Sequence, residues 1–94
     1  AHVAKKTIDD FKTLIKQQEI HWITFTSSST VNNFVELIGS DFITENKGKL
    51  PIASIGPVTT KTLEYYDLHP CITAHEHTFE GLVNSIIREE EHDD

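Results

Sequence analysis

Apolar residues recur along this chain with two different periods, and the alternation between those periods is its main structural signal. Ile8, Phe11, Leu14 and Ile15 stand at helical spacing, which predicts a helix over residues 7–18. Thr7 with Asp10 three positions later suits its N-cap. Trp22, Ile23, Thr24 and Phe25 form a short β-favouring run. It lacks strict alternation, as expected of a strand in a parallel sheet buried on both faces. A hydroxyl-rich turn follows, and then Val31, Phe34, Val35 and Ile38 at i, i+3, i+4 and i+7, closed by Gly39.

Residues 40–50 are polar and mixed, which predicts a short helical piece and a loop. Ile52, Ala53, Ser54 and Ile55 read as a second strand that Gly56 and Pro57 end. Proline suits the first position of a helix, so residues 58–66 form the third, stopped near Asp67 because Pro70 cannot continue it. Cys71, Ile72, Thr73 and Ala74 make a third strand. Thr78 caps a last helix with the apolar face Phe79, Leu82, Val83, Ile86 and Ile87. The order αβαβαβα implies right-handed crossovers and an α/β fold, an open parallel sheet flanked by helices.

A length of 94 residues accommodates one small domain, and a chain of this size buries roughly two thirds or less of its unfolded surface. With 37% hydrophobic and 24% charged residues the composition is that of a globular protein rather than a disordered one. The formal net charge of −7 and the want of a basic stripe argue against nucleic acid as a partner. No apolar run approaches the roughly 20 residues of a membrane span, and residues 1–10 lack a signal-like pattern. A cytoplasmic location and no membrane partner are therefore expected. The one cysteine, Cys71, has no internal partner for a disulfide and is expected as a buried structural thiol. Residues 88–94 read as an acidic, frayed tail.

In open α/β sheets ligands bind beyond the carboxyl ends of the strands. All three predicted strand exits fall on that edge, and each runs into a helix N-terminus, where free amides favour carboxylates or phosphates. The first exit brings Thr26, Ser27, Ser28, Ser29 and Thr30, the second Gly56, Pro57, Val58, Thr59 and Thr60, the third Thr78. The plain alternative is that each Ser or Thr simply caps its helix. His75, Glu76 and His77 offer metal-ligand types, but two histidines on alternate residues read more simply as a solvated loop. No hydrolase triad is spaced here: neither Ser27 nor Ser28 sits in a G-x-S-x-G elbow. Tyr65 and Tyr66 close a helix, one expected in the core and the other shielding its edge.

Three segments carry a family resemblance. Residues 23–31, Ile-Thr-Phe-Thr-Ser-Ser-Ser-Thr-Val, resemble the strand and serine turn of uroporphyrinogen-III synthases. Residues 53–60, Ala-Ser-Ile-Gly-Pro-Val-Thr-Thr, are similar to that family's Ile-Gly-Pro-x-Thr turn, and Thr78 with Gly81, Leu82 and Val83 fits its third element. The resemblance covers nearly all of residues 8–87. It implies part of a two-domain lyase of the hydro-lyase type. That enzyme cyclises hydroxymethylbilane to uroporphyrinogen III in tetrapyrrole and haem biosynthesis, with loss of water, a spirocyclic intermediate and inversion of ring D, and with no metal or organic cofactor. It further implies substrate-binding roles for the three exits: Ser27 as a cleft hydroxyl, Thr59 and the amides of residues 56–60 gripping a propionate or acetate, and Thr78 doing likewise.

The departures from the family pattern matter as much. No residue matches the family's tyrosine proposed to assist the leaving hydroxyl, and the catalytic group is unassigned. Pro51 stands where a basic residue sometimes precedes the second strand, leaving Lys47 or Lys49 to supply that contact. Asp67 occupies a left-handed position often held by glycine. The family's domain is completed by an amino-terminal strand and helix that these residues do not supply, and the chain contains no methionine. Residues 1–94 are therefore expected to be a single, incomplete domain, inactive alone, whose missing segments are its partners and whose unpaired strand favours self-association. A non-catalytic phosphate- or anion-binding α/β module is the alternative from another class, and a purely structural domain a third.

Overall fold

The computed structural model describes residues 3–92. Its elements run α1 Lys5–Lys16, β1 Ile23–Phe25, α2 Ser28–Ile38, α3 Ser40–Glu45, a 3-10 turn Lys47–Lys49, β2 Ile52–Ser54, α4 Pro57–Tyr65, β3 Ile72–Thr73 and α5 Phe79–His92. The strands form one parallel sheet in the order β1-β2-β3. Because the strand order advances in one direction, right-handed crossovers place every connecting helix on the same face. Helices α1 to α4 accordingly share one core of Ile15, Phe25, Val31, Phe42, Ile52 and Leu63 with their neighbours. Helix α5 covers the other face alone, through Leu82 on Ala53 and Ala74.

That asymmetry corrects the expectation of a sheet buried on both faces. Central β2 is buried throughout, whereas Thr24 of β1, on the face of α5, is exposed. One helix is too narrow to cover three strands. On α5, Phe79, Val83 and Ile87 remain exposed, and Trp22 ties β1 to the helix by donating from Nε1 to Glu90 Oε1 at 2.7 Å. The acidic segment expected as a frayed tail is therefore helical through His92; residues 93–94 lie outside the described residues.

Helix ends explain the other differences. Helix α1 begins at Lys5, before Thr7, and Ala4 at its N-cap makes no side-chain bond. Ion pairs Lys5–Asp9 and Lys6–Asp10 support that extra turn, each worth a few tenths of a kcal/mol. It ends with Gln18 left-handed at φ 56°, while Gln18 N donates to Ile15 O and Glu19 N to Leu14 O. Helix α4 ends in the same Schellman pattern. Asp67 at φ 61° donates to Glu64 O, and Leu68 donates to Leu63 O while packing in the same core. The left-handed position expected at Asp67 is thus present. Its carboxylate accepts from Lys47 Nζ and pairs with His69 Nε2 at 2.9 Å, and these contacts, Lys47 first, hold its pKa below the ordinary value.

Gly39, at φ 89°, is the joint that turns α2 directly into α3. Helix α3 is the short helical piece expected in residues 40–50; it sends Phe42 and Ile43 into the core, and a 3-10 turn follows it. Tyr66 packs against the core and donates to Asn32 Oδ1 at 2.6 Å, while Tyr65 stays exposed, as their adjacency suggested. Cys71 differs: strand β3 is an edge strand of two residues, and the cysteine just before it is exposed rather than buried.

Candidate functional site at the strand exits

The strand register determines where the exits emerge. Phe25, Ser54 and Thr73 are paired across the sheet as its last row, so all three strands stop at one level. Neighbouring parallel strands lie roughly 4.8 Å apart, which brings the exits side by side. From them α2, α4 and α5 start, with their N-termini on the one edge the sequence pattern indicated.

At the first exit Ser27 is the N-cap of α2. Its Oγ accepts from Thr30 N at 3.2 Å and lies 3.1 Å from Ser29 Oγ, while Thr30 Oγ1 donates to Ser27 O at 2.7 Å. Ser28 Oγ accepts from Thr62 Oγ1 at 2.7 Å, which joins α2 to α4. Capping thus engages Ser27 and the cross-link to Thr62 engages Ser28, while the side chains of Thr26 and Ser29 face solvent. At the second exit Pro57 opens α4 and Thr60 N donates to Gly56 O at 3.0 Å, so the amides of Val58 and Thr59 precede the first regular helical bond. Thr59 is buried, and what it brings to the edge is its amide rather than an open hydroxyl. Pro57 and Val58 are exposed beside it.

Thr60 belongs to a hydroxyl chain that crosses the edge. Its Oγ1 lies 2.8 Å from Thr73 Oγ1 and donates to Ser54 Oγ at 2.9 Å; Ser54 in turn donates to Gly56 O at 3.0 Å. The chain ties the second exit to β3 and holds the Gly56 carbonyl in place. Sequence reasoning missed Ser54 and Thr73, although a polar residue between Ala53 and Ile55 in an otherwise apolar strand was a usable signal.

At the third exit Thr78 Oγ1 accepts from Gly81 N at 2.9 Å and its carbonyl from Leu82 N at 2.9 Å, the expected cap of α5. The preceding loop is exposed at residues 75–78, as expected of a solvated loop, and its inner side lies against two glycines. A Cβ on Gly81 would lie 2.0 Å from the Glu76 carbonyl oxygen, and one on Gly56 would lie 3.0 Å from His77 Cγ. The two histidines part company there. His77 lies on Gly56, whereas His75 lines a shallow cavity of about 260 Å³ with Cys71, Thr73, Ser85 and Arg88 on the outer side of β3. Among the described residues no group of three or more His, Cys, Asp or Glu side chains is placed to hold a metal ion. Lys47, one of the two lysines considered for a substrate contact, is engaged with Asp67 beyond the carboxyl end of α4, on the opposite side from the exits.

Electrostatically the edge is built from backbone dipoles and neutral hydroxyls. Residues 26–30, 56–60 and 75–78 contain no Lys or Arg, and their ionisable members are His75, Glu76 and His77. Amide donors of this kind are suited to anions, and the acidic net charge of the chain does not remove them.

Comparison with known proteins agrees with this layout. A family model described as Uroporphyrinogen-III synthase HemD matches residues 1–84. A protein named uroporphyrinogen-III synthase from Synechococcus elongatus (strain ATCC 33912 / PCC 7942 / FACHB-805) is 35% identical over 81 residues, which cover 83% of this chain and 31% of that protein. The chain thus spans under a third of the length of the curated relative it matches. With the family's three turns at the three strand exits and the family model matching across them, the chain belongs to the uroporphyrinogen-III synthase family.

Proposed function

We propose that this chain forms one wall of the substrate cleft of a uroporphyrinogen-III synthase, a hydro-lyase that converts hydroxymethylbilane to uroporphyrinogen III and water with inversion of ring D. The observation that carries the reading is the level row Phe25, Ser54 and Thr73, which sets three helix N-termini along one edge in a member of this family. Substrate and product carry eight carboxylates, and first-turn amides with adjoining hydroxyls are suited to them. Thr26, Ser29, the amides of residues 56–60 and the α5 terminus at Thr78 are the groups that would meet acetate and propionate arms. Holding the two ends of a flexible tetrapyrrole in register converts ring closure into an intramolecular reaction, the main contribution such a wall makes. The remaining wall and the leaving-group acid come from the rest of the enzyme, so the chain alone binds but does not turn over. A cytoplasmic setting goes with that reading.

Fluorescence titration of the chain with uroporphyrin III, a stable oxidised form of the product, tests it. Saturable binding, weakened about three- to tenfold by Ser29→Ala or Thr78→Ala through loss of a hydrogen bond, is expected. Binding of a phosphosugar in place of the porphyrin would overturn the reading in favour of an anion-binding module. The same reading leaves β1 with an open edge, and α5 exposes Phe79, Val83 and Ile87; the isolated chain should self-associate through such surfaces. A strict monomer in sedimentation at millimolar concentration would contradict that.

A further inference from the structure

Resting on that cleft reading, we propose that Thr73 is a specificity-determining residue, whose hydroxyl oxygen accepts from a pyrrole N–H of the bound tetrapyrrole. Each hydroxyl of the chain that crosses the edge has one hydrogen to donate. A carbonyl only accepts, so Ser54 Oγ, 3.0 Å from Gly56 O, donates to it, and Thr60 N at 3.0 Å fills the second lone pair of the same oxygen. With the Ser54 hydrogen spent, the 2.9 Å contact between Ser54 and Thr60 takes its hydrogen from Thr60 Oγ1. The Thr60 hydrogen is then spent as well, and the 2.8 Å contact between Thr60 and Thr73 takes its hydrogen from Thr73 Oγ1. Were Thr60 to donate to Thr73 instead, one of the two contacts of Ser54 would have no hydrogen. Ser54 is fully buried, where water cannot make good that loss.

The chain therefore runs one way, from the surface to the Gly56 carbonyl. Thr73 stands at its outer end, exposed and in the last row of the sheet, with its hydrogen directed inward and lone-pair capacity left over. It is an acceptor on an edge whose helix-terminal amides are donors. Carboxylates only accept, so a simple polyanion makes no use of it. A ligand that uses both kinds of group carries N–H donors beside its carboxylate arms, which is the make-up of linked pyrroles bearing acetates and propionates. By this pairing the edge distinguishes a tetrapyrrole from other polycarboxylates.

Uroporphyrinogen III and uroporphyrin III provide the test, because they share their arms and differ at nitrogen. The reduced macrocycle is flexible and can turn its N–H groups outward, whereas the oxidised ring is planar and holds them inside. Valine at position 73 keeps the shape and the strand preference, and Thr60 loses only an incoming bond, so the rest of the chain stays closed. In anaerobic calorimetric titrations Thr73→Val should weaken the porphyrinogen about three- to tenfold, the worth of one hydrogen bond, and the porphyrin less than about twofold. Thr73→Ser, which keeps the oxygen, should bind both as the parent does. An equal loss for both ligands in Thr73→Val would reduce Thr73 to a support of the second exit, and no loss for either would show that no ligand meets it. Both outcomes overturn the assignment and leave the cleft reading intact. No binding of either ligand by the parent would overturn both.

Discussion

Replacing Gly81 by alanine tests the close packing behind the third exit. Alanine normally favours a helix over glycine by about 1 kcal/mol, and on that basis alone the variant should gain stability. The structure predicts the reverse. The new Cβ would lie 2.0 Å from the Glu76 carbonyl oxygen and 2.8 Å from the Glu76 carbonyl carbon. A carbon–oxygen contact settles near 3.3 Å, so the loop backbone has to retreat by roughly 1.3 Å. Retreat pulls Glu76 O from Thr78 N and disturbs the Thr78 cap on Gly81 N. Overpacking costs about 1–3 kcal/mol, and the cap and the turn bond about 1 kcal/mol each. Set against the helix gain, the net loss is about 2–4 kcal/mol. Urea unfolding followed by circular dichroism reads this as a lower midpoint at unchanged slope. Gly48→Ala is the control: its Cβ meets nothing within 4 Å and should change stability by less than about 0.5 kcal/mol. A Gly81→Ala variant as stable as the parent, or more so, would refute the packing argument.

Other consequences are as open to measurement. Leu63→Ala removes a side chain that is fully buried between α4 and the sheet and should cost about 2–5 kcal/mol in the same assay. Gln18→Gly relieves a left-handed residue at a Schellman end and should gain about 0.5–1 kcal/mol in thermal unfolding. Asp67 has a folded-state pKa below its ordinary 3.8, so its ion pair contributes stability that is present above pH 3.8 and fades as pH falls through the lower folded value. The parent should therefore exceed Asp67→Asn in urea midpoint at pH 6, with the difference closing toward pH 2 and in high salt, since the pair is exposed. A constant difference across that range would contradict the assignment.

Much of this fold was legible because its longer elements obey strong periodicities. The face Val31, Phe34, Val35, Ile38 gave α2 after a serine-rich turn and with Gly39 as its stop, and Pro57 gave the start of α4. What was misjudged depends on neighbours in space. Thr24 and Cys71 were assigned to buried strands from local composition; Thr24 is exposed because a single helix covers the second face, and Cys71 because it precedes the short edge strand β3. The acidic end of α5 looked like a tail because the bond that holds it, from Trp22 to Glu90, spans 68 positions.

At the site the pattern identified the edge but not its internal wiring. Hydroxyls counted as free donors at Ser27, Ser28 and Thr60 are engaged in caps and cross-links, and Thr59 is buried. The seating of His77 on Gly56 joins residues 21 positions apart on different strand exits, and no local pattern announces it.

Backbone NMR of the chain titrated with uroporphyrin III addresses the central claim most directly. The account predicts shifts concentrated at residues 26–30, 56–60 and 77–78, with the edge around Lys47, Asp67 and His69 unmoved. A well-folded spectrum in which saturating ligand leaves those turns unshifted, or shifts the opposite edge instead, would contradict it.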